Sequence, residues 1–319
     1  PHHTMSARRQ RQMCIRDSGK RADIAISELL GNELSRNQVK DLIKSGDILI
    51  NDEGCKPKDK VCHNDQIDVS IPDAEVSSWT AEDINLDIIF ACDDYAIINK
   101  PAGLVMHPGA GVKSGTLANG VAKIYPEVLR LPRNGIVHRL DKDTSGLVVI
   151  ARKNGFRNHI AEQFQNREVE KKYLAVIKGE IIGALTIDKP IARDRHNRTK
   201  MKVDESGREA ISEAISLESF GGYSVVEVKI ETGRTHQIRV HLSSNKTPII
   251  GDKAYGSGSQ LIKNLSDNLK DKILSFPRQA LHAYQLAFLD ASNEMQTYKS
   301  NPPDDILGLI ESLKSNENA

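Results

Sequence analysis

The sequence predicts an α+β protein of two units: a small α/β module at residues 19–72, then a larger domain at residues 85–300 built on a mixed, largely antiparallel β-sheet with flanking helices. Three observations point there. The chain has 319 residues, too many for a single small module. Its apolar runs are short and bounded by turn residues, as strands are. Strand-like and helix-like segments are intermingled, which favours an α+β domain over a doubly wound sheet. Hydrophobic residues make up 39% and charged residues 27%, an ordinary balance for a soluble globular chain. No apolar stretch approaches the roughly 18 residues that span a bilayer.

The first 18 residues, PHHTMSARRQRQMCIRDS, show no apolar period and read as a non-native leader, so they are set aside from the fold. They carry four arginines against one aspartate; without them the formal net charge of +1 becomes −2. Overall charge therefore gives no support for a nucleic-acid partner, and any basic surface must be local. Cys55, Cys62 and Cys92 lack Cys-x-x-Cys spacing and read as free thiols of a reducing cytoplasm, with no zinc.

In the first unit, Leu34-Ser35-Arg36-Asn37-Gln38-Val39 has the composition of a helix start. Ser35 can accept from the Gln38 amide, Gln38 can reach back, and Leu34 and Val39 are spaced as a hydrophobic staple. Val39, Leu42 and Ile43 share one face, and Gly46 ends the helix. Residues 47–51 and 66–71 follow as strands. This arrangement resembles the S4-like RNA-binding domain over about 50 residues. The resemblance implies that Arg36, Lys40 and Lys44 meet RNA phosphates. Composition does not require it: residues 20–72 hold eight Lys/Arg and ten Asp/Glu, and cations at helical spacing are usually a solvated face.

Residues 73–84 are polar and aperiodic and read as a linker. Beyond it, segments 88–91 and 95–98 flank Asp93-Asp94 as a hairpin. Segments 136–137, 146–151, 173–177 and 223–230 read as strands, and 156–167 and 234–243 as helices. Residues 301–319 form a C-terminal helix and tail, with SLKSNENA as the frayed end.

The most informative segment is His138-Arg139-Leu140-Asp141-Lys142-Asp143-Thr144-Ser145-Gly146, between apolar Ile136-Val137 and the strand from Gly146. A turn dense in ionisable residues between core strands is where a rigid scaffold presents reactive groups. Taken alone, it is more simply a turn in which Asp141 or Asp143 caps its own backbone.

The run HRLDKDTSG resembles the signature of the RluA-type pseudouridine synthases, in which the aspartate after Arg-Leu is catalytic. Three more stretches resemble that family's motifs in the same order: Asn99-Lys100-Pro101-Ala102-Gly103, Lys171-Lys172-Tyr173-Leu174-Ala175, and residues 232–241, TGRTHQIRVH. The similarity spans residues 85–290. It implies isomerisation of uridine to pseudouridine in RNA, needing neither metal nor cofactor. The fuller pattern, with the S4-like unit in front, HPGAG at residues 107–111 and RQALHA at residues 278–283, resembles members that act on a stem-loop of 23S large-subunit ribosomal RNA, and a monomer is the default expectation. The resemblance implies Asp141 as the carboxylate at the ribose, acting as nucleophile at C1′ or as a base on a sugar proton. Arg239 is implied as the cation paired with Asp141, and Tyr173 as the ring stacked on the base. Ile238 would pack on the other face, and Arg139 would hold the space of the extruded nucleotide. Lys100 and His138 are carried over as substrate-binding residues. Without the motif, Arg239 would read as a surface helix residue and Tyr173 as a core aromatic.

Between Lys189 and Lys202 lies one basic tract, with Arg193, Arg195, Arg198 and Lys200 against Asp194 alone, which suits phosphate contact. Two readings compete. A non-catalytic RNA-binding or ribosome-assembly factor needs only the first unit. A glycoside hydrolase would also place Asp141 at an anomeric carbon, but needs a second carboxylate across the bond, for which Asp143 is the nearest in sequence.

Overall fold

The computed structural model describes residues 8–14, 19–31, 34, 36–72, 79–109, 111–256, 261–262 and 265–317. The N-terminal unit runs β1 (Arg8–Cys14), α1 (Ala22–Leu29), α2 (Arg36–Ser45), β2 (Ile48–Ile50), β3 (Glu53–Gly54) and β4 (Gln66–Pro72). Its sheet has the order β1-β4-β2-β3. Val39 and Ile43 of α2 are buried with Ile26, Ile48 and Ile67, as the one-sided apolar pattern requires. Gly46 takes a φ of 79° and ends α2. The expected Ser35 cap lies outside the described residues, as do 73–78 of the expected linker.

Residues 8–14, expected to stand outside the fold, instead form strand β1. They pair antiparallel with β4 from Arg8↔Pro72 to Cys14↔Gln66. A strand added to an open sheet edge is held by backbone hydrogen bonds, so no apolar period is needed.

The larger unit contains β5 (Asp87–Ala91), β6 (Tyr95–Lys100), α3 (Leu117–Ile124), β7 (Ser145–Ala151), α4 (Asn154–Asn166), β8 (Glu170–Lys178), β9 (Ala184–Asp188), β10 (Ile191–Arg193) and β11 (Met201–Val203). There follow β12 (Ile211–Ser219), β13 (Tyr223–Ile230), α5 (Gln237–Ser244), α6 (Asp267–Ser275), β14 (Leu281–Leu289), β15 (Met295–Lys299) and α7 (Asp304–Glu317). A nine-stranded sheet has the order β5-β6-β7-β14-β8-β13-β12-β9, with β15 also on β14. Among the described residues β7–β14 is its one parallel pairing, and β10 and β11 form a separate hairpin. The sheet is thus mixed and largely antiparallel, as expected. Both faces of β7 are buried, which explains its unbroken apolar run.

Three other expectations change. Ile136-Val137 is not a strand: a single bridge joins Ile136 to Ile150, and a 3-10 turn at Pro132–Gly135 precedes it, with Arg133 and Asn134 at φ 55° and 50°. Residues 79–84 are not a free linker. Trp79 and Ile84 pack on the main core, and Asn119 Nδ2 donates to the Thr80 carbonyl at 2.7 Å. The expected frayed end is helical to Glu317, because Ile306, Leu309 and Leu313 are buried along one face of α7.

Candidate active site

Asp141 sits in a turn tied to the scaffold at almost every residue. The His138 Nε2 accepts the Val149 amide hydrogen at 3.0 Å, and its ring stacks on Phe164 with centroids 5.0 Å apart. Burial, with the Lys171 charge, holds the imidazole down to about 3, so it is neutral. The Lys142 carbonyl accepts from the Gly103 amide and from Lys100 Nζ, both at 2.9 Å. Arg278 Nη1 donates to the Asp143 carbonyl at 3.2 Å, and Gln279 Nε2 to the Thr144 hydroxyl at 3.1 Å. Arg278 is itself gripped by both carboxylate oxygens of Asp305 in α7, at 2.7 and 2.8 Å.

Opposite the turn stands α5, entered through His236 with φ 56°. Arg239, 8% exposed, carries a planar fork with donors on more than one edge. Its Nε and Nη2 donate to Asp252 Oδ2 and Oδ1 at 2.7 and 2.9 Å, while Nη1 donates to Asp141 Oδ2 at 3.1 Å. The guanidinium carbon lies 5.0 Å from the centre of the Tyr255 ring. Burial opposes charge on both Asp252 and Arg239, but their mutual hydrogen bonds and attraction outweigh it. Asp252 is thus kept ionised and Arg239 protonated. The amides of Ala254 and Tyr255 also donate to Asp252 Oδ1, at 2.9 and 3.1 Å.

His236 joins this group from the side. Its Nε2 is 4.0 Å from Asp141 Oδ2, and its Nδ1 is 2.7 Å from the Tyr255 hydroxyl. That hydroxyl accepts the Met201 amide hydrogen at 2.7 Å, leaving its own proton to donate to Nδ1. A neutral His236 then carries its hydrogen on Nε2, toward Asp141.

The resulting cleft has a volume of about 730 Å³, within the usual range for a ligand pocket. Asp141, Arg139, His138, Tyr173, Ile238 and Arg239 all border it. Tyr173 is buried, and burial with the Asp141 charge raises its phenol pKa, so the hydroxyl stays protonated. Asp143, the nearest second carboxylate in sequence for a glycosidase, does not line the cleft, whereas Glu231 does. Among the described residues, no three His, Cys, Asp or Glu side chains converge on a point that could hold a metal ion.

The other expected residues lie elsewhere. Lys100 is fully buried, and its ammonium donates to the carbonyls of Pro101, Leu104 and Lys142 at 2.8, 3.0 and 2.9 Å. It props the turn from behind and does not face the cleft. Arg36 and Arg21 bond the buried Asp23 carboxylate at 2.9 and 3.0 Å, with Lys40 at 3.8 Å. Burial alone would raise Asp23, but the two arginines hold it below its ordinary range. One buried carboxylate thus gathers three cations, a net positive patch. Lys44 pairs with Asp41 at 3.4 Å. Arg193, Arg195 and Arg198 are exposed, and Arg193 Nη1 donates to the Arg198 carbonyl at 3.1 Å. Lys200 instead anchors their hairpin to the Ala254 carbonyl at 2.7 Å.

Sequence reasoning missed Asp252 and Tyr255, and took Arg278 only as part of a motif without a role. A signal for Asp252 did exist: a buried arginine needs acceptors for the donors that one partly exposed carboxylate leaves unmatched.

The family described as RNA pseudouridylate synthase matches residues 94–244, and the S4 domain matches residues 21–67. The chain is 39% identical to a ribosomal large subunit pseudouridine synthase D of Xanthomonas campestris pv. campestris, over 95% of this chain and 92% of that protein. To the protein of the same name from Escherichia coli K12 it is 37% identical, over 93% of this chain and 91% of the other. The solved human RNA pseudouridylate synthase domain containing 4 superposes with a TM-score of 0.56 at 27% identity, covering 72% of this chain and 93% of that one.

Proposed function

Because the chain belongs to the RluA-type RNA pseudouridylate synthase family, we propose that it isomerises uridine to pseudouridine in large-subunit ribosomal RNA, with Asp141 as the catalytic carboxylate. The reaction breaks the N1–C1′ bond, turns the base and joins C5 to C1′. One hydrogen leaves C5, one arrives at N1, and nothing is oxidised or reduced. A carboxylate at the ribose is what the first step needs, whether it takes C1′ itself or a sugar proton. The observation that supports Asp141 is its ion pair with Arg239 at the cleft surface, which fixes the direction of the carboxylate. Tyr173 and Ile238 offer an aromatic and an aliphatic wall for a flat base.

The uridine must leave its stack to reach Asp141, at a cost of a few kcal/mol that is least in a loop. Arg139 is exposed at the rim, suited to the displaced strand. Arg36, Lys40 and Lys44 of the S4 unit and Arg193, Arg195 and Arg198 of the hairpin supply phosphate contacts. The chain works as a monomer in the cytoplasm.

The test is direct. Purified protein should form pseudouridine in unmodified large-subunit RNA with chelator present, and Asp141→Asn should abolish turnover while the RNA still binds. Turnover by that variant would overturn the assignment of Asp141.

A further inference from the structure

Lys171 lies on the cleft wall and takes no part in the chemistry so far described. Residues 171 and 173 are two apart on β8, so both side chains stand on the same face of the sheet. Both are buried, Lys171 at 7% exposure, and both border the cleft. Lys172, on the opposite face, is neutralised by Glu227 at 3.2 Å. Lys171 is not. Among the described residues no carboxylate or hydrogen-bond acceptor meets its ammonium, which lies over the Phe164 ring, 5.5 Å from Nζ to the centroid. The imidazole beyond that ring, His138, is neutral.

An unpaired ammonium in a dry wall is costly, and folded chains rarely keep one without a use. Burial has pushed Lys171 down to about 8, which still leaves most of it charged at pH 7. The group therefore holds a positive charge, with free donors, beside the aromatic wall suited to the base.

The chemistry at this place generates a matching negative charge. When the N1–C1′ bond breaks, its electron pair leaves with N1, and the base becomes an anion whose charge spreads to O2 and O4. We propose that Lys171 is a further catalytic residue, whose ammonium donates to a ring carbonyl of the extruded uracil and stabilises the anionic base between bond cleavage and rejoining through C5. The charge is present in that interval and absent from the bound uridine, so the interaction favours the reaction over simple binding. No proton need leave Lys171, and the balance of the isomerisation is unchanged. This inference rests on the pseudouridine synthase reading.

The test compares wild-type protein with Lys171→Met, a substitution of similar length that removes an unpaired buried charge. The melting temperature should hold or rise. Removing a preorganised donor of this kind lowers kcat by about 10²-fold, with little change in KM. An RNA carrying 2-thiouridine or 4-thiouridine at the target weakens one carbonyl acceptor at a time. One of the two should slow the wild type and have no further effect on Lys171→Met. Wild-type kcat in Lys171→Met overturns the proposal alone, as does equal wild-type turnover of uridine and both thio substrates, even if the variant fails to fold. Absence of pseudouridine with wild-type protein defeats the functional reading, and this one with it.

Discussion

At the scale of single residues, the site is governed by how one guanidinium is shared. Arg239 gives two donors to Asp252 and one to Asp141, and the Asp252 carboxylate is nearly inaccessible, at 1% side-chain exposure against 17% for Asp141. The division of labour follows: Asp252 fixes the guanidinium, and Asp141, the wetter partner, is free to meet substrate. Asp252→Asn keeps the shape and removes the buried charge. Breaking such a pair costs about 3 kcal/mol or more. It also frees Arg239 to turn both nitrogens onto Asp141, blocking the oxygen needed at the ribose. We expect a clear loss of stability in urea titration and at least a tenfold loss of kcat with substrate still bound. Unaltered kcat would mean that Asp252 does not position Arg239.

At the scale of elements, the active-site turn depends on how β7 meets β14. Gly146, one residue into β7, has a φ of 119°, and a Cβ there would lie 2.3 Å from the Ala283 carbonyl oxygen and 2.5 Å from its nitrogen. No side chain fits, because β14 approaches as the parallel neighbour at that point. Gly146→Ala should therefore cost about 3 kcal/mol by urea denaturation through combined strain and overpacking. It should also lower kcat by displacing the turn that ends at Thr144; full stability would contradict the close approach. This junction marks where the sequence stops being legible. β7, β8, β13 and the β5–β6 hairpin were readable because their apolar residues follow a regular strand pattern. β14 was not: its burial runs in blocks around an irregularity between Ala283 and Gln285, so no period of two survives. In β12, Ile215 and Leu217 are 47% and 51% exposed, which blurs that pattern too. Ile136-Val137 misled for the opposite reason, since its apolar pair packs into the core without joining a ladder. Asp141 and Arg239 are 98 residues apart in the chain. Motif resemblance brought them together; spacing alone could not.

At the scale of the whole molecule, a chain with almost no net charge must hold a polyanion, so its cations have to be arranged locally. Two arrangements do this by different means. In the S4 unit, buried Asp23 collects Arg21, Arg36 and Lys40 onto one patch, which fixes their direction but removes part of their charge. In the β10–β11 hairpin, the apolar side chains of Ile191, Met201 and Val203 pack with Val240 of α5 and with Tyr255, while Arg193, Arg195 and Arg198 remain exposed. The hairpin therefore rests on the same helix that carries Arg239. Each phosphate contact releases condensed counterions, so affinity falls with salt in proportion to the number of contacts, by about 0.7 per contact in a log–log plot for single strands. Neutralising all three arginines should weaken RNA binding and reduce that slope by about 2. Neutralising Arg36 and Lys40 should reduce it less, because part of their charge is already spent on buried Asp23, which then keeps Arg21 as its partner at 3.0 Å. Binding isotherms across a salt series separate the two cases. An unchanged slope in the hairpin variant would show that these arginines face solvent throughout the reaction, and that the S4 patch and the cleft's own cations hold the RNA.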